Sequence, residues 1–430
     1  MPQNNILYLS DRSFFTDKSI PSTVIDELRA HGLIAPDMKK IHFCGVVSYC
    51  DGLAVFLPRN HSASIEDGGI ACHFLLQALL KYYQSKDSGF YAQENGEAVI
   101  GGRSFSLATS LLDDYRANGL YVRRVKERTT NSGKVNWSRT ISRSTSYPTA
   151  EGPIYLDLLT SRFRYISNCE TVKIHAQVMK ELFNDYGMVW LGLSVYFDER
   201  LEKLPEASGS VDTKIAYLRR ELQLSYSERD MFLIKGLIQY LLTKKGADAN
   251  NVLIGVRKFH NLWESMLDEC LVGKYRVNSK LPVPIYRTTD DKFVPVAQKG
   301  QRTDTVLKHD EESRFAVVDA KYYEANSPNT APGWPDLVKQ FYYQKEVCRL
   351  ENEKAVVSNH FIFPGCSGKL KAVYVAERGV TVKSEKDCLE EYSTIHCHYQ
   401  APIELLEAYV KGEKLTQLTN EIFSHNKKNT

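Results

Sequence analysis

The sequence contains no G-x-x-x-x-G-K-[ST] loop, so nothing in it binds a nucleotide through a Walker motif. GCSGKL at 365–370 has the glycine and lysine, but the spacing is wrong and no Ser or Thr follows. There is no C-x-x-C pair. The nine cysteines (44, 50, 72, 169, 270, 348, 366, 388 and 397) are odd in number and scattered, which argues for reduced thiols in a cytosolic protein. Long apolar runs are missing too: YGMVWLGLSVYF (186–197) is too short to cross a bilayer and reads as buried core. The first residues, MPQNNILYLSDRSFF, lack a basic stretch followed by an apolar one, so no secretory signal is expected. A net charge of only +3 means that any affinity for nucleic acid has to come from local patches.

What is present is a chain of 430 residues, 43% hydrophobic and 25% charged, as in globular proteins of two or three domains. The pattern predicts a mixed α/β (α+β) protein. Residues 1–165 read as a β-rich N-terminal domain, with strands at ILYL, IHFCGVVSY and LAVFLPR. Helical spacing at Val24, Leu28 and Ile34, and in 70–84 and GRSFSLATSLLDDYRANG, adds helices, the last ending at Gly119. Residues 166–245 read as a helical connecting region interrupted by RLEKLPEASGSVD (200–212); His175 on its first helix is expected to be a packed or surface residue rather than a ligand. Residues 246–430 form the third expected domain. A helical stripe of Val256, Phe259, Trp263, Met266, Leu267, Cys270 and Leu271 opens it, with Glu264 on the edge of the stripe. A strand around FVPVAQ, a hairpin, a helix at 335–350, two strands and a last helix follow. This α-β-β-β-α-β order describes a mixed sheet flanked by helices.

The most basic segment, 119–147, reads as a hairpin of cationic strands turning at Asn131-Ser132-Gly133. Such a patch suits nucleic-acid phosphates or an acidic protein surface; a solvated hairpin is the plain alternative.

The most informative stretch is RTDTVLKHDEESRFAVVDAKYY, Arg302 to Tyr323: two apolar strands joined by a charged turn. A turn centred between Glu311 and Glu312 sets Lys308 against Phe315 and, in the same register, Asp304 against Asp319. Directly opposed residues share a face with Cα atoms roughly 4.5 to 5.5 Å apart. Two carboxylates there repel, and a divalent cation between them would remove the repulsion. Lys321, two residues after Asp319, falls on the same face. Two aspartates with a lysine beside them suit metal-dependent phosphodiester hydrolysis. Asp304 and Asp319, with the carbonyl of Ala320, would hold Mg²⁺, with Mn²⁺ as a substitute, while Lys321 orients water and stabilises negative charge. The alternative is a structural salt bridge from Lys321 to one aspartate. Glu264 is a candidate for a second metal or an outer-shell water, and Gln340 for a water or phosphate; a surface role is the rival for both. A zinc site from Cys388, His396, Cys397 and His398 is disfavoured, because on a strand Cys397 points away from the two histidines.

The series Glu264 … Asp304 … Asp319-Ala320-Lys321 resembles the PD-(D/E)XK nuclease core, with Asp in place of the more usual Glu at 319 and Thr303 where that motif has proline. AKYY…PGWPDLVKQFYYQK, with ILYLSDRSFF, IHFCGVVSYCDGLAVFLPRN and GKVNWSRTI, is similar to nuclease subunits of McrC type, most closely the LlaJI restriction endonuclease family. The resemblance implies a C-terminal restriction-endonuclease-like core in a cytoplasmic anti-phage subunit that cuts double-stranded DNA. It also implies a McrB-like AAA+ GTPase partner, which binds GTP in place of this chain and is stimulated by it, and pairing of nuclease domains within a larger complex. By the same analogy the N-terminal domain docks the partner, with Arg123, Arg124, Lys126, Arg128, Arg139 and Arg143 as candidate partner or DNA contacts. A non-catalytic GTPase-activating or DNA-tethering subunit is one alternative, and a stand-alone nuclease is another.

Overall fold

The computed structural model describes residues 5–16, 19–34, 39–49, 52–62, 68–87, 100–191, 198–246, 252–296, 300–309, 313–351 and 355–424. They form a mixed α/β protein whose chain divides into two compact units, residues 1–102 with 251–430, and residues 103–250.

The first unit begins with β1 (Asn5–Ser10), α1 (Ser22–Ala30), β2 (Cys44–Tyr49), β3 (Gly52–Leu57) and α2 (Gly68–Asp87). The strands are short runs rich in Val, Ile and Leu, which suit a sheet. β1 runs parallel to β3, and β3 antiparallel to β2. Val24 and Leu28, four apart on α1, are fully buried against this sheet with Phe43, Phe56 and Ile41. Ile34 lies beyond that helix and bridges to Ile41.

The second unit holds α3 (Gly102–Asn118), β4 (Arg123–Thr130), β5 (Lys134–Val135), α4 (Trp137–Arg143), β6 (Ser146–Thr149), β7 (Gly152–Tyr155) and β8 (Leu159–Ile166). Four helices complete it: α5 (Glu170–Leu191), α6 (Glu199–Glu202), α7 (Val211–Leu224) and α8 (Glu228–Gly246). The cationic segment is not the expected hairpin. β4 pairs along its whole length with β8, and β5 joins the other edge of β8. Only two residues extend after the turn before Asn136 caps α4 by accepting from the Arg139 N–H, whereas β8 supplies eight. Arg139 and Arg143 therefore sit on a helix. Arg123 is held by the buried Glu221. Arg124, Lys126 and Arg128 share one face of β4, where Arg124 lies 3.7 Å from the Phe163 ring centre. His175 is a packed residue, as expected: it is buried, accepts from the Tyr121 N–H at 3.1 Å, and burial lowers its pKa to about 4. Of the apolar run 186–197, the first part closes α5 and residues 192–197 lie outside the described residues.

The chain returns to the first unit with β9 (Leu253–Val256) and α9 (Phe259–Cys270). Sequence periodicity counts Val256 in the helix, but LIGV is a strand that pairs antiparallel with β2 and completes the N-terminal sheet in the order β1-β3-β2-β9. The expected boundaries at 165/166 and 245/246 thus differ from the compact units, because residues more than 200 apart in the numbering, such as Cys44 and Val256, share one ladder. β10 (Ile285–Arg287) and β11 (Phe293–Pro295) form a separate hairpin, so the FVPVAQ strand is not part of the central sheet. That sheet is built from β12 (Thr305–Lys308), β13 (Arg314–Ala320), β14 (Val356–Pro364), β15 (Ala372–Val373) and β16 (Ile395–Gln400). Its order is β12-β13-β14-β16-β15, with β13, β14 and β16 parallel. The helices α10 (Trp334–Glu351), α11 (Pro402–Lys411) and α12 (Thr416–Ser424) complete the unit. Val347 of α10 packs with Phe315, Val317 and Val357, while the rings of Phe259 and Trp263 of α9 lie tilted against Tyr322, with centres 5.1 and 6.0 Å away. Strand alternation makes these the two faces of β13. Lys81 of α2 ties that helix to α9 and α11 through Glu269 and the Tyr409 carbonyl, at 2.6 and 2.7 Å.

The β2–β9 seam depends on Gly45 facing Gly255. A methyl group on Gly45 would run into the Ile254 carbonyl and the Phe43 ring, and the backbone there has φ +154°. Gly45→Ala is expected to cost more than about 3 kcal/mol, above the usual range for single substitutions. The loss is read as a lowered urea midpoint or loss of folded protein.

Candidate active site

The β12–β13 ladder runs Thr305↔Val318, Val306↔Val317, Leu307↔Ala316, Lys308↔Phe315, the register that the symmetric turn predicts. Residues 310–312 of the turn lie outside the described residues. Asp304 is one residue beyond the ladder, next to the end of β13 that carries Asp319. Its Oδ2 accepts from the Ala320 N–H at 3.0 Å. Asp319 is buried, and its Oδ2 lies 2.9 Å from Lys321 Nζ. Lys321 also reaches Asp336 Oδ1 at 2.9 Å, and Tyr323 donates its hydroxyl to Asp336 Oδ2 at 3.2 Å. The ion pair that the sequence left open as an alternative is therefore present, and it has a second acceptor near the start of α10 that sequence reading did not identify. Asp336 in WPDLVKQ looks like an ordinary first-turn helix acid; only the fold brings it to Lys321.

Charge couples these groups. Asp304 keeps solvent access, yet desolvation by the surrounding protein, then the charges of Asp319 and Glu264, push its carboxyl well above the usual carboxylate range. Glu264 leans to the sheet as expected. Burial, then Asp319, raises its pKa from 4.5 to about 7, with Lys321 opposing. Burial works against the Lys321 charge, but Asp319 and Asp336 outweigh it and raise the ammonium's pKa.

Gln340 is fully buried, and its amide donates to the Val317 carbonyl at 2.7 Å and the His360 carbonyl at 3.4 Å. It ties α10 to β13 and β14. Tyr343 packs beside it into the core over Phe315 and Val317. The disfavoured zinc set does not assemble. His360 Nδ1 and His398 Nε2 share a hydrogen bond at 2.9 Å. Among the described residues no group of three or more His, Cys, Asp or Glu is spaced to hold a metal ion. Asp304 and Asp319 fall below that count. As hard oxygen donors they nevertheless fit a cation that takes one or two carboxylates plus water and phosphate.

Like-charged carboxylates around a lysine on a mixed sheet have the makings of a hydrolytic centre, and the class of protein is that of restriction endonucleases. The chain belongs to the LlaJI restriction endonuclease family, whose model matches residues 43–376 and so spans Glu264, Asp304, Asp319, Lys321 and Asp336. It is similar to the type II restriction enzyme BsuMI component YdjA of Bacillus subtilis strain 168, 23% identical over 355 residues that cover 78% of this chain and 76% of that protein. Among solved structures it is similar to a half-complex of Thermococcus gammatolerans McrB AAA+ hexamers with bound McrC. That match has 11% identity and a TM-score of 0.39, covering 95% of this chain and 99% of the other. A second match is the McrBC complex of the same organism, with 12% identity and a TM-score of 0.20, covering 57% and 89%. No described helix is long and apolar enough to cross a membrane.

The raised Glu264 pKa sets a stability window. The native state favours the protonated acid, so this contribution is full below pH 4.5 and is lost as pH rises through about 7. Without divalent cations, Glu264→Gln is expected to melt higher than the parent at pH 8 and close to it near pH 4.5. Melting curves at the two pH values check this, and an equal effect at both removes the assignment.

Proposed function

We propose that the chain is the cutting subunit of a restriction complex that hydrolyses double-stranded DNA phosphodiesters with Mg²⁺ at a PD-(D/E)XK-type site. The observation that carries this is Lys321 held 2.9 Å from Asp319 at the end of β13, in a chain of a restriction endonuclease family. Asp304, Asp319 and the Ala320 carbonyl would hold the ion, which when bound supplies charge neutralisation at the phosphoryl oxygens and acidified water. Mn²⁺ is a substitute of the same oxygen-ligand chemistry. Lys321 stabilises charge developing on the phosphoryl group, and a preorganised cation does this without reorganising during reaction. Asp336 keeps the lysine side chain in place. Glu264, with a pKa of about 7, suits accepting a proton near neutral pH.

The reading includes a McrB-like AAA+ GTPase partner that this chain stimulates, pairing of nuclease domains within the complex, and a cytoplasmic setting. The absence of a Walker motif and the eight described cysteines, all unpaired, support the partner's role and the setting respectively. Arg124, Lys126 and Arg128 on their common face of β4, together with Arg123, Arg139 and Arg143, are the candidates for partner or DNA contact.

A second reading, a subunit that activates the GTPase without cutting, is favoured by one feature: Lys321 is already paired with two carboxylates. The test uses the chain together with a cognate AAA+ protein, with plasmid DNA as substrate and with Mg²⁺ and GTP each added or withheld. Lys321→Ala is expected to lower cutting at least about 100-fold while GTP hydrolysis by the partner continues. Undiminished cutting removes the catalytic assignment, and GTPase stimulation by a parent chain that never cuts selects the second reading.

A further inference from the structure

Outside the carboxylate site, the first unit gathers cations at the start of α9. Arg257 and Lys258 are exposed and immediately precede that helix, whose first turn holds no acid and whose N-cap, Lys258, makes no side-chain cap. Cations at this end meet the positive pole of the helix, an unfavourable placement of roughly 0.3–1 kcal/mol each. Three more cations arrive from distant segments: Arg12 after β1, Lys40 before β2 and Arg59 after β3. They meet at His42. A terminal nitrogen of Arg12 lies 2.7 and 2.9 Å from its two ring nitrogens. Burial, then Arg12, Arg257, Lys40 and Arg59, lowers the His42 pKa to about 4. Burial, then Arg12 and Lys258, lowers that of His260 in the first turn of α9.

Among the described residues, the carboxylates in ion pairs with these five cations are the buried Asp11, 3.5 Å from Arg12 Nε, and Glu324, 3.2 Å from Arg59. Among the described residues this leaves the cations in excess, and the Nε–H of Arg59 is buried with no hydrogen-bond acceptor. The cluster borders the carboxylate site in two ways. His260 and Glu264 are four apart on α9 and so neighbours on one helix face, about 5–6 Å apart at Cβ. Tyr322, next to Lys321 in the chain, accepts a hydrogen bond from the Arg59 N–H at 2.7 Å.

We propose that Arg12, Arg257, Lys258 and His260, backed by His42 and Arg59, form a phosphodiester-binding site that grips the DNA strand at a phosphate beside the one to be cut. This rests on the nuclease reading. Guanidinium forks, an ammonium and uncapped helix N–H groups all suit phosphate oxygens, and the anion expected next to a cutting site is the substrate's own backbone. Such contacts position the strand without reading its sequence.

The experiment measures binding of a short fluorescent duplex to the full chain, without divalent metal, across a salt series. Arg257→Ala and Lys258→Ala are exposed substitutions that leave the core untouched, and Lys386→Ala is a distant exposed control. Each of the first two is expected to weaken binding about fivefold or more and to flatten the dependence of log affinity on log salt by about 1, while the control tracks the parent. Isotherms of both variants that superimpose on the parent's overturn the proposal and leave the nuclease reading standing. A parent chain that binds no duplex overturns the strand contact, while the nuclease reading stands or falls by the cutting assay with the AAA+ partner. If the variants lose thermal stabilisation by inorganic phosphate but keep their DNA affinity, the pocket takes a free anion and the strand contact is overturned.

Discussion

The structure depends on crowded negative charge at the end of β13. Asp319 is buried, Asp304 stands beside the end of the same strand, and Glu264 approaches from α9 closely enough that Asp319 raises the cost of ionising both of the others. In a site of low polarity such an arrangement is unstable without positive charge. Lys321 supplies one charge, and it is itself held by Asp336. The remaining imbalance is what a divalent cation and a phosphate would complete. A site that is partly unsatisfied by itself is the common price of chemistry in a folded protein.

Why the N-terminal sheet belongs to the same compact unit as this site follows from contacts rather than from chain order. β9 closes the sheet, and α9 leads directly from it to Glu264. Tyr322 packs its ring on Phe259 and Trp263 and takes the Arg59 N–H on its hydroxyl. One residue before it, Lys321 faces the other side of the strand. Alternation continued just past the end of β13 thus lets a single segment hold the lysine on one face and anchor the N-terminal sheet on the other.

How much was legible depends on the range of the interaction. The β12–β13 register was readable because a hairpin with a short turn fixes its own pairing, and Lys308↔Phe315 followed from counting. The helices α2, α3, α5, α7 and α8 were readable because apolar periodicity is a local signal. The pairing of β4 with β8 was not. The turn at Asn131 to Gly133 is real, but which strand receives β4 was decided by a better partner further along the chain. The bonds of the buried Gln340 amide to the Val317 and His360 carbonyls were likewise not readable, because they join α10 to two strands.

The sequence by itself determined the candidate triplet and its register, since Asp304, Asp319 and Lys321 lie within one hairpin whose geometry is set by alternation over a few residues. Only the tertiary structure decided that Asp336 clamps the lysine, that Glu264 shares the field of Asp319, and that Arg12, Arg59 and Arg257 bring their charge to bear on His42. Those groups come from segments up to hundreds of residues apart, and long-range electrostatics and packing have no signature in local spacing.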